Sequence, residues 1–111
     1  AYREFSRILD THPALPTGFF AHNDIIALDC IRALKEHGYR IPDDVSVVGF
    51  DDIPSCQLLE PPMTTTCVPK SFLGAQAMHQ LLRLFADPIL PPVKVEISTE
   101  LVKRSTVRRL S

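Results

Sequence analysis

The stretch VSVVGFDD at residues 45–52 decides the fold of this 111-residue chain. It is short, mostly apolar and rich in β-branched residues, which is typical of a central parallel strand buried on both faces. Two acidic residues, Asp51 and Asp52, follow it directly. Ligands of parallel α/β sheets collect at the carboxyl ends of strands. The end of this strand is therefore a candidate binding site.

A strand and a helix precede this stretch. Residues 18–21, GFFA, predict a buried strand, and Asn23 or Asp24 can cap a helix that ends at Gly38. Apolar residues on more than one face of that helix indicate burial on two sides. Strand, helix and strand form a βαβ unit. Its two strand ends are expected to lie side by side, with His22-Asn23-Asp24 next to Asp51-Asp52.

The flanking segments add more predicted elements. A helix at residues 1–9 opens the chain without an initiating methionine, so we expect it to continue from a longer protein. The apolar set of the later helix predicts a broad buried stripe, and the last strand is expected at a sheet edge. The downstream elements are a loop at 51–62 with one helical turn at 55–59, a strand at 64–68, a helix at 69–86, and strands at 93–97 and 100–107.

Composition narrows the function classes. Hydrophobic residues make up 45% and charged residues 23%, with a net charge of −1, which indicates a globular chain and disfavours direct nucleic-acid binding. No apolar run could cross a bilayer and no export signal opens the chain, so we predict a cytoplasmic protein. Three cysteines without paired spacing predict neither a disulfide framework nor a zinc site. The chain also has no nucleophile elbow or phosphate-binding glycine loop, so no enzyme activity and no cofactor are expected.

Several linked motifs give the chain a family resemblance. Together, in this order and spacing, they closely resemble the C-terminal third of LacI/GalR-type transcription regulators. They are TGFFAHND at 17–24, AL at 27–28, ALKEHG at 33–38, IPDDVSVVGFDD at 41–52, EPPMTT at 60–65, Gly74 and ELVKRST at 100–106. Two departures flank the presumed pocket: His22, where relatives more often have a small residue, and Cys67-Val68-Pro69, where a polar residue is common.

The resemblance implies an α/β fold: a three-layer parallel sheet flanked by helices, of the periplasmic-binding-protein-like type I. Residues 1–111 would be the C-terminal part of an effector domain, without the DNA-binding helix-turn-helix and most of the first lobe. Segment 69–97 would belong to the other lobe. Without the surface it normally covers there, its apolar helix would favour self-association, so a homodimer or higher oligomer is expected. Operator DNA would be bound only through the N-terminal domain, and no membrane partner is expected.

The same resemblance assigns ligand-binding roles to Asp51 and Asn23, with His22 beside them. Asp51 would accept hydrogen bonds from a small-molecule effector, and Asn23 can donate and accept at once. The alternatives are capping roles: Asp52 could cap the helical turn, and Asn23 could cap the helix unless Asp24 does so. His22 is expected to be a pocket wall rather than an acid/base partner of Asp51.

The resemblance also places Leu28, Leu58 and Leu59 at a dimer interface, with core packing as the alternative, above all for Leu28. The predicted function is effector sensing and dimerisation in a regulator that binds a sugar or nucleobase-like molecule. Two other functions stay open. One is a solute-binding protein for sugar uptake, which shares the fold, and the other is an enzyme using His22, Asp51 and Asp52.

Overall fold

The computed structural model describes all residues, 1–111. Residues 1–67 and 100–111 form one compact unit, the sheet unit, and residues 68–99 form a second, the helix unit. The elements in chain order are α1 (Tyr2–Asp10), β1 (Gly18–Phe20), α2 (Asp24–Glu36), β2 (Ser46–Asp51), α3 (Ser55–Leu58), β3 (Thr64–Cys67), α4 (Lys70–Ala86) and β4 (Glu100–Val102).

The sheet has the order β1-β2-β3-β4. The first three strands are parallel, with Val48 of β2 between Phe20 of β1 and Thr64 of β3. The last strand is antiparallel and occupies the edge beside β3. The predicted α/β fold with helices flanking the sheet is confirmed, although the sheet is mixed rather than wholly parallel.

The core of the sheet unit lies between β2 and α2. Val47 of β2 is fully buried, as are Ala27 and Leu34 of α2. Their helical spacing places both α2 residues on one face. The helix packs against β2 and also against α1, so the prediction of burial on two sides is confirmed.

The last strand is shorter than predicted. It ends at Val102 instead of Val107 because the chain then turns back across the sheet. The Thr106 hydroxyl donates to the Val47 carbonyl at 2.6 Å. The oxygen of this hydroxyl also accepts a hydrogen bond from the Thr64 amide at 2.9 Å. Fully buried Thr106 thus bonds to two neighbouring strands instead of continuing a ladder along one.

The helix unit departs most from the prediction. None of the α4 residues is buried, so the predicted buried stripe is wrong for this chain. Residues 93–97 form no strand, although their apolar residues alternate. Both results have one cause: the helix unit contains a single helix and no strand. An apolar stripe needs a covering surface, and a strand needs a neighbour for its hydrogen bonds.

None of the helices combines the length and apolar character needed to cross a lipid bilayer.

Candidate functional site

A cavity opens where β1 and β2 end at the same edge of the sheet. Its volume is roughly 420 Å³. The two strands are parallel, so the residues that follow them meet there. The lining residues are Phe20, His22, Asn23, Phe50 and Asp51. The structure therefore brings together around one cavity the three residues predicted to bind a ligand.

Asn23 has two roles in the geometry. Its Oδ1 accepts a hydrogen bond from the Ile26 amide at 2.9 Å, so it is the N-cap of α2. A side-chain amide has an NH2 donor as well as an acceptor. Asn23 can therefore cap the helix and still offer a donor to the cavity.

Asp51 is the last residue of β2 and adopts an unusual backbone conformation, with φ at 114°. Asp52 follows with φ at 52°. Positive φ is uncommon outside glycine, and such residues cluster at functional sites.

His22, which follows the neighbouring strand β1, is exposed and forms part of the cavity wall. Phe20 is 68% exposed, so an aromatic ring stands beside the polar groups.

Asp24 was predicted as the alternative helix cap, and this prediction is wrong. Its side chain is fully buried. One carboxyl oxygen accepts from the Thr65 hydroxyl at 2.5 Å, and the other accepts from the Ile53 amide at 2.9 Å. Burial, and then a hydrogen bond to Asp24, raise the pKa of the Cys56 thiol to about 12, so this cysteine is an inert packing group.

Asp52 was expected to cap the helical turn, and this is also wrong. The residue before α3 is Pro54, and no side chain caps that turn. Asp52 instead pairs with Arg104 at 2.8 Å, with both side chains mostly buried. Arg104 also donates to the Met63 carbonyl at 2.9 Å. Nothing in the sequence pattern around Arg104 marks this pairing, because Asp52 and Met63 are distant in the chain.

The predicted interface leucines differ in exposure. Leu58 is 85% exposed, so intramolecular packing does not account for it. Leu59 packs against the core, and Leu28 is half-buried on α2. Intramolecular packing therefore covers part of Leu28 and Leu59 and almost none of Leu58.

Other hollows follow α4 in the helix unit. One of about 270 Å³ lies between the helix and the turn after it, lined by Leu84, Leu90 and Pro91 among others. A binding site normally combines an apolar wall with several converging polar groups. This hollow has mainly an apolar wall and reflects the uncovered helix face, so we place the candidate site at the strand ends.

Comparison with known proteins decides the family. The family model of the periplasmic binding protein-like domain matches residues 1–107. The chain belongs to this family, as part of a LacI/GalR-type effector domain. It is 41% identical over 96 residues to the HTH-type transcriptional repressor PurR of Mannheimia succiniciproducens, covering 86% of this chain and 29% of that protein. It is 37% identical over 112 residues to PurR of Haemophilus influenzae, with coverages of 98% and 33%. The chain thus spans about a third of these relatives.

Solved structures agree. A LacI family regulator from Enterococcus faecium with bound ribose superposes with a TM-score of 0.84 at 31% identity, covering 99% of this chain and 40% of that one. The lac repressor dimer bound to operator and an anti-inducer gives a TM-score of 0.85 at 31% identity, with coverages of 96% and 36%. A complex of the regulator CelR with cellobiose gives 0.84 at 30% identity, with coverages of 96% and 33%.

Proposed function

We propose that the chain is the effector-sensing part of a transcription regulator and that the cavity at the ends of β1 and β2 holds one side of a small molecule. The observation that carries this proposal is the meeting of Asn23 and Asp51 around one cavity. An amide that donates and a carboxyl group that accepts suit the hydroxyls of a sugar or the edge of a nucleobase. Phe20 and Phe50 supply apolar faces against which either ring could pack.

The relatives support a sugar or a molecule of similar chemistry. LacI family regulators of the same fold have been solved with ribose and with lactose, and the regulator CelR with cellobiose. His22 stands in the wall of the present cavity, so the effector need not be one of these. The relatives are regulators, which favours regulation over solute uptake or catalysis. We therefore propose a non-catalytic role in the cytoplasm, where operator DNA is found.

The whole-protein part of the proposal concerns lobes and DNA. The helix unit, residues 68–99, is a separate compact unit whose helix exposes Phe72 and Phe85. We propose that it contributes to the other lobe of the effector domain. Operator binding belongs to an N-terminal domain, and effector binding would alter the relation between lobes and thereby the affinity for DNA.

The dimer part of the proposal rests on Leu58. A leucine with 85% of its surface exposed on the short helix α3 is a suitable anchor for an interface about a twofold axis. Leu28 and Leu59 would contribute their half-buried surfaces. Replacement of Leu58 by Ser is expected to weaken dimerisation in sedimentation analysis without lowering the melting temperature of the monomer.

The test of the site uses a pair of variants at Asn23. Asn23→Ser keeps a capping oxygen but removes the amide donor, whereas Asn23→Asp keeps the size and the cap but replaces that donor with an acceptor. The intact regulator is first screened by thermal shift against sugars, nucleosides and nucleobases. We expect each variant, and Asp51→Asn, to bind the identified compound about tenfold or more weakly, since the Asn23 variants lose the amide donor and Asp51→Asn loses the charge of its acceptor. Operator affinity without effector should stay unchanged. Normal effector responses in all three variants would refute the site.

A further inference from the structure

The backbone at the end of β2 is held in a costly conformation. Asp51 and Asp52 both have positive φ, at 114° and 52°. Non-glycine residues in such regions cost on the order of 1–3 kcal/mol each and persist only where their surroundings hold them. Two consecutive residues with positive φ beside a cavity require contacts that hold the backbone on either side of Asp51.

Asp24 provides the first set of these contacts. Its Oδ2 accepts from the amide of Ile53, two residues after Asp51, at 2.9 Å. Its Oδ1 lies over Gly49, two residues before Asp51, where a Cβ atom would overlap it. The Thr65 hydroxyl on β3 donates to Oδ1 at 2.5 Å and fixes the carboxyl group. One fully buried side chain thus contacts the backbone on both sides of Asp51.

Arg104 provides the second set. Its guanidinium pairs with Asp52 at 2.8 Å and donates to the Met63 carbonyl at 2.9 Å. Its backbone amide donates to the Thr64 hydroxyl at 2.9 Å, which anchors Arg104 itself to β3. The side chains of Arg104 and Asp52 are only 14% and 16% exposed. The guanidinium is therefore held by the Met63 carbonyl with its charge beside the Asp52 carboxyl group, and its planar shape makes it a more rigid support than a lysine side chain.

We propose that Asp24 and Arg104 are positioning residues of the cavity: together they hold the Asp51–Asp52 backbone in its left-handed conformation and so place the Asp51 carboxyl group. Asp24 directly follows Asn23, so the start of α2 supplies both a cavity residue and the support for the opposite strand end. The consequence for ligand affinity rests on the proposed function. The backbone consequence does not, because it concerns the chain without ligand.

The decisive variants change one hydroxyl. Thr65→Val removes the donor to Asp24 with little change in volume, and Thr65→Ser keeps it. NMR spectra of the 111-residue chain report the backbone conformation through the Cα and Cβ shifts of Asp51 and Asp52. In Thr65→Val we expect both residues to shift towards extended values, and the Ile53 amide to exchange about tenfold or more faster, because a buried acceptor has lost its partner. Thr65→Ser should match the wild type.

A general loss of stability is distinguished from lost positioning by the Val47 amide, which bonds to Thr106 in the core. If its exchange accelerates as much as that of Ile53, the hydroxyl only stabilises the fold and the proposal is overturned. Unchanged Asp51 and Asp52 shifts in Thr65→Val, or equal changes in Thr65→Ser, overturn it as well. Should Thr65→Val fail to fold, Arg104→Lys decides: it keeps the charge but loses the planar guanidinium, and it should shift the signals of both Asp51 and Asp52, whereas unchanged Asp51 signals overturn the proposal.

The ligand measurement is separate. The intact regulator and both Thr65 variants are titrated with ribose and with whichever compound the thermal-shift screen identifies. A Kd raised about tenfold or more in Thr65→Val but not in Thr65→Ser is expected, as misplacement of one charged acceptor would produce. Should no compound bind the wild type, the proposed function fails while the NMR result still decides the positioning role.

Discussion

The sheet unit and the helix unit contain similar apolar side chains and use them differently. In the sheet unit, Val47, Leu34 and Met63 are almost completely excluded from solvent. In the helix unit, Leu81 and Phe85 of α4 remain 45% and 73% exposed. Hydrophobic stabilisation depends on area removed from water, so equal composition does not give equal stability. Burial of apolar side chains therefore stabilises mainly the sheet unit. The stability of the helix unit depends on what covers the exposed face of α4.

Polar groups show the same contrast. Around β2 and β3, the Asp24 carboxyl group and the Thr65 and Thr106 hydroxyls are buried and hydrogen-bonded. In the helix unit the side-chain hydrogen bonds, such as that from Arg83 to Gln80, are exposed. Buried networks make a region intolerant of small changes, whereas exposed bonds contribute little. Identical substitutions in the two units should therefore have different effects.

Alanine at two glycines gives the largest expected difference. At Gly49, a Cβ atom would overlap the Asp24 carboxyl group and crowd Met63 Cε at 3.0 Å. Overpacking and the displaced buried hydrogen bonds should together lower the free energy of unfolding by about 4 kcal/mol. At Gly74 in α4 nothing lies within 4 Å, and alanine should raise helix stability by about 0.5–1 kcal/mol.

Urea unfolding followed by circular dichroism measures both glycine variants. Amide exchange of Val47 reports on the sheet unit, and exchange of the α4 amides reports on the helix unit. Comparing the two should assign each change in stability to its unit. A Gly49→Ala variant as stable as the wild type would contradict the close approach of Asp24 to β2.

Local sequence patterns predicted much of the sheet unit, but not the contacts of Asp24. The strands and α2 were predicted because apolar periodicity and β-branched runs are local signals. The meeting of Asn23 with Asp51 was also predictable, since parallel strands end at one edge. The role of Asp24 was not, because an acidic residue at a helix start reads as a cap. Its partners, Thr65 and Ile53, are distant in sequence, and nothing in their local pattern marks them.

The failed predictions in the helix unit have the opposite origin. The apolar stripe of α4 and the alternation at residues 93–97 are strong local signals, yet they specify only a face that must be covered. Whether a surface covers it is a tertiary fact. Arg104 illustrates the same limit in the sheet unit: basic residues near a chain end read as solvated, but the turn after β4 brings this one beneath Asp52.

The two methionines of the chain provide the next comparison. Met63 is fully buried before β3, and Met78 is 55% exposed on α4. Met63→Ala should lower the free energy of unfolding by about 2–5 kcal/mol, from lost burial and the cavity left behind. Met78→Ala should change it by less than about 0.5 kcal/mol. Thermal unfolding of the two variants checks this, and equal losses would show that α4 is covered to the same degree as the core.

The smallest expected effect concerns the rim of the sheet unit, where α1 docks on α2. His37 at the end of α2 has both ring nitrogens beside acceptors: Nε2 lies 3.0 Å from Asp10 Oδ1 and Nδ1 lies 2.7 Å from the Ala33 carbonyl. The hydrogen bond to Asp10, and then that to Ala33, raise the pKa of His37 above its ordinary value. The contact therefore stabilises the fold most when the imidazole is protonated. That contribution is complete below the ordinary pKa of about 6.5 and is lost as the pH rises through the raised value.

Thermal unfolding of the wild type should consequently show a melting temperature that falls as the pH rises from about 6 to about 9, beyond the trend of the remaining groups. Asp10→Asn should flatten this slope, because the amide no longer favours the charged ring. The shift stays small since the pair is open to solvent and screened by salt. Adding salt should reduce the slope in the wild type and leave Asp10→Asn nearly unchanged. If Asp10→Asn leaves the wild-type slope unchanged, another group titrates in this pH range, and the contact of His37 with Asp10 does not stabilise the packing of α1 on α2.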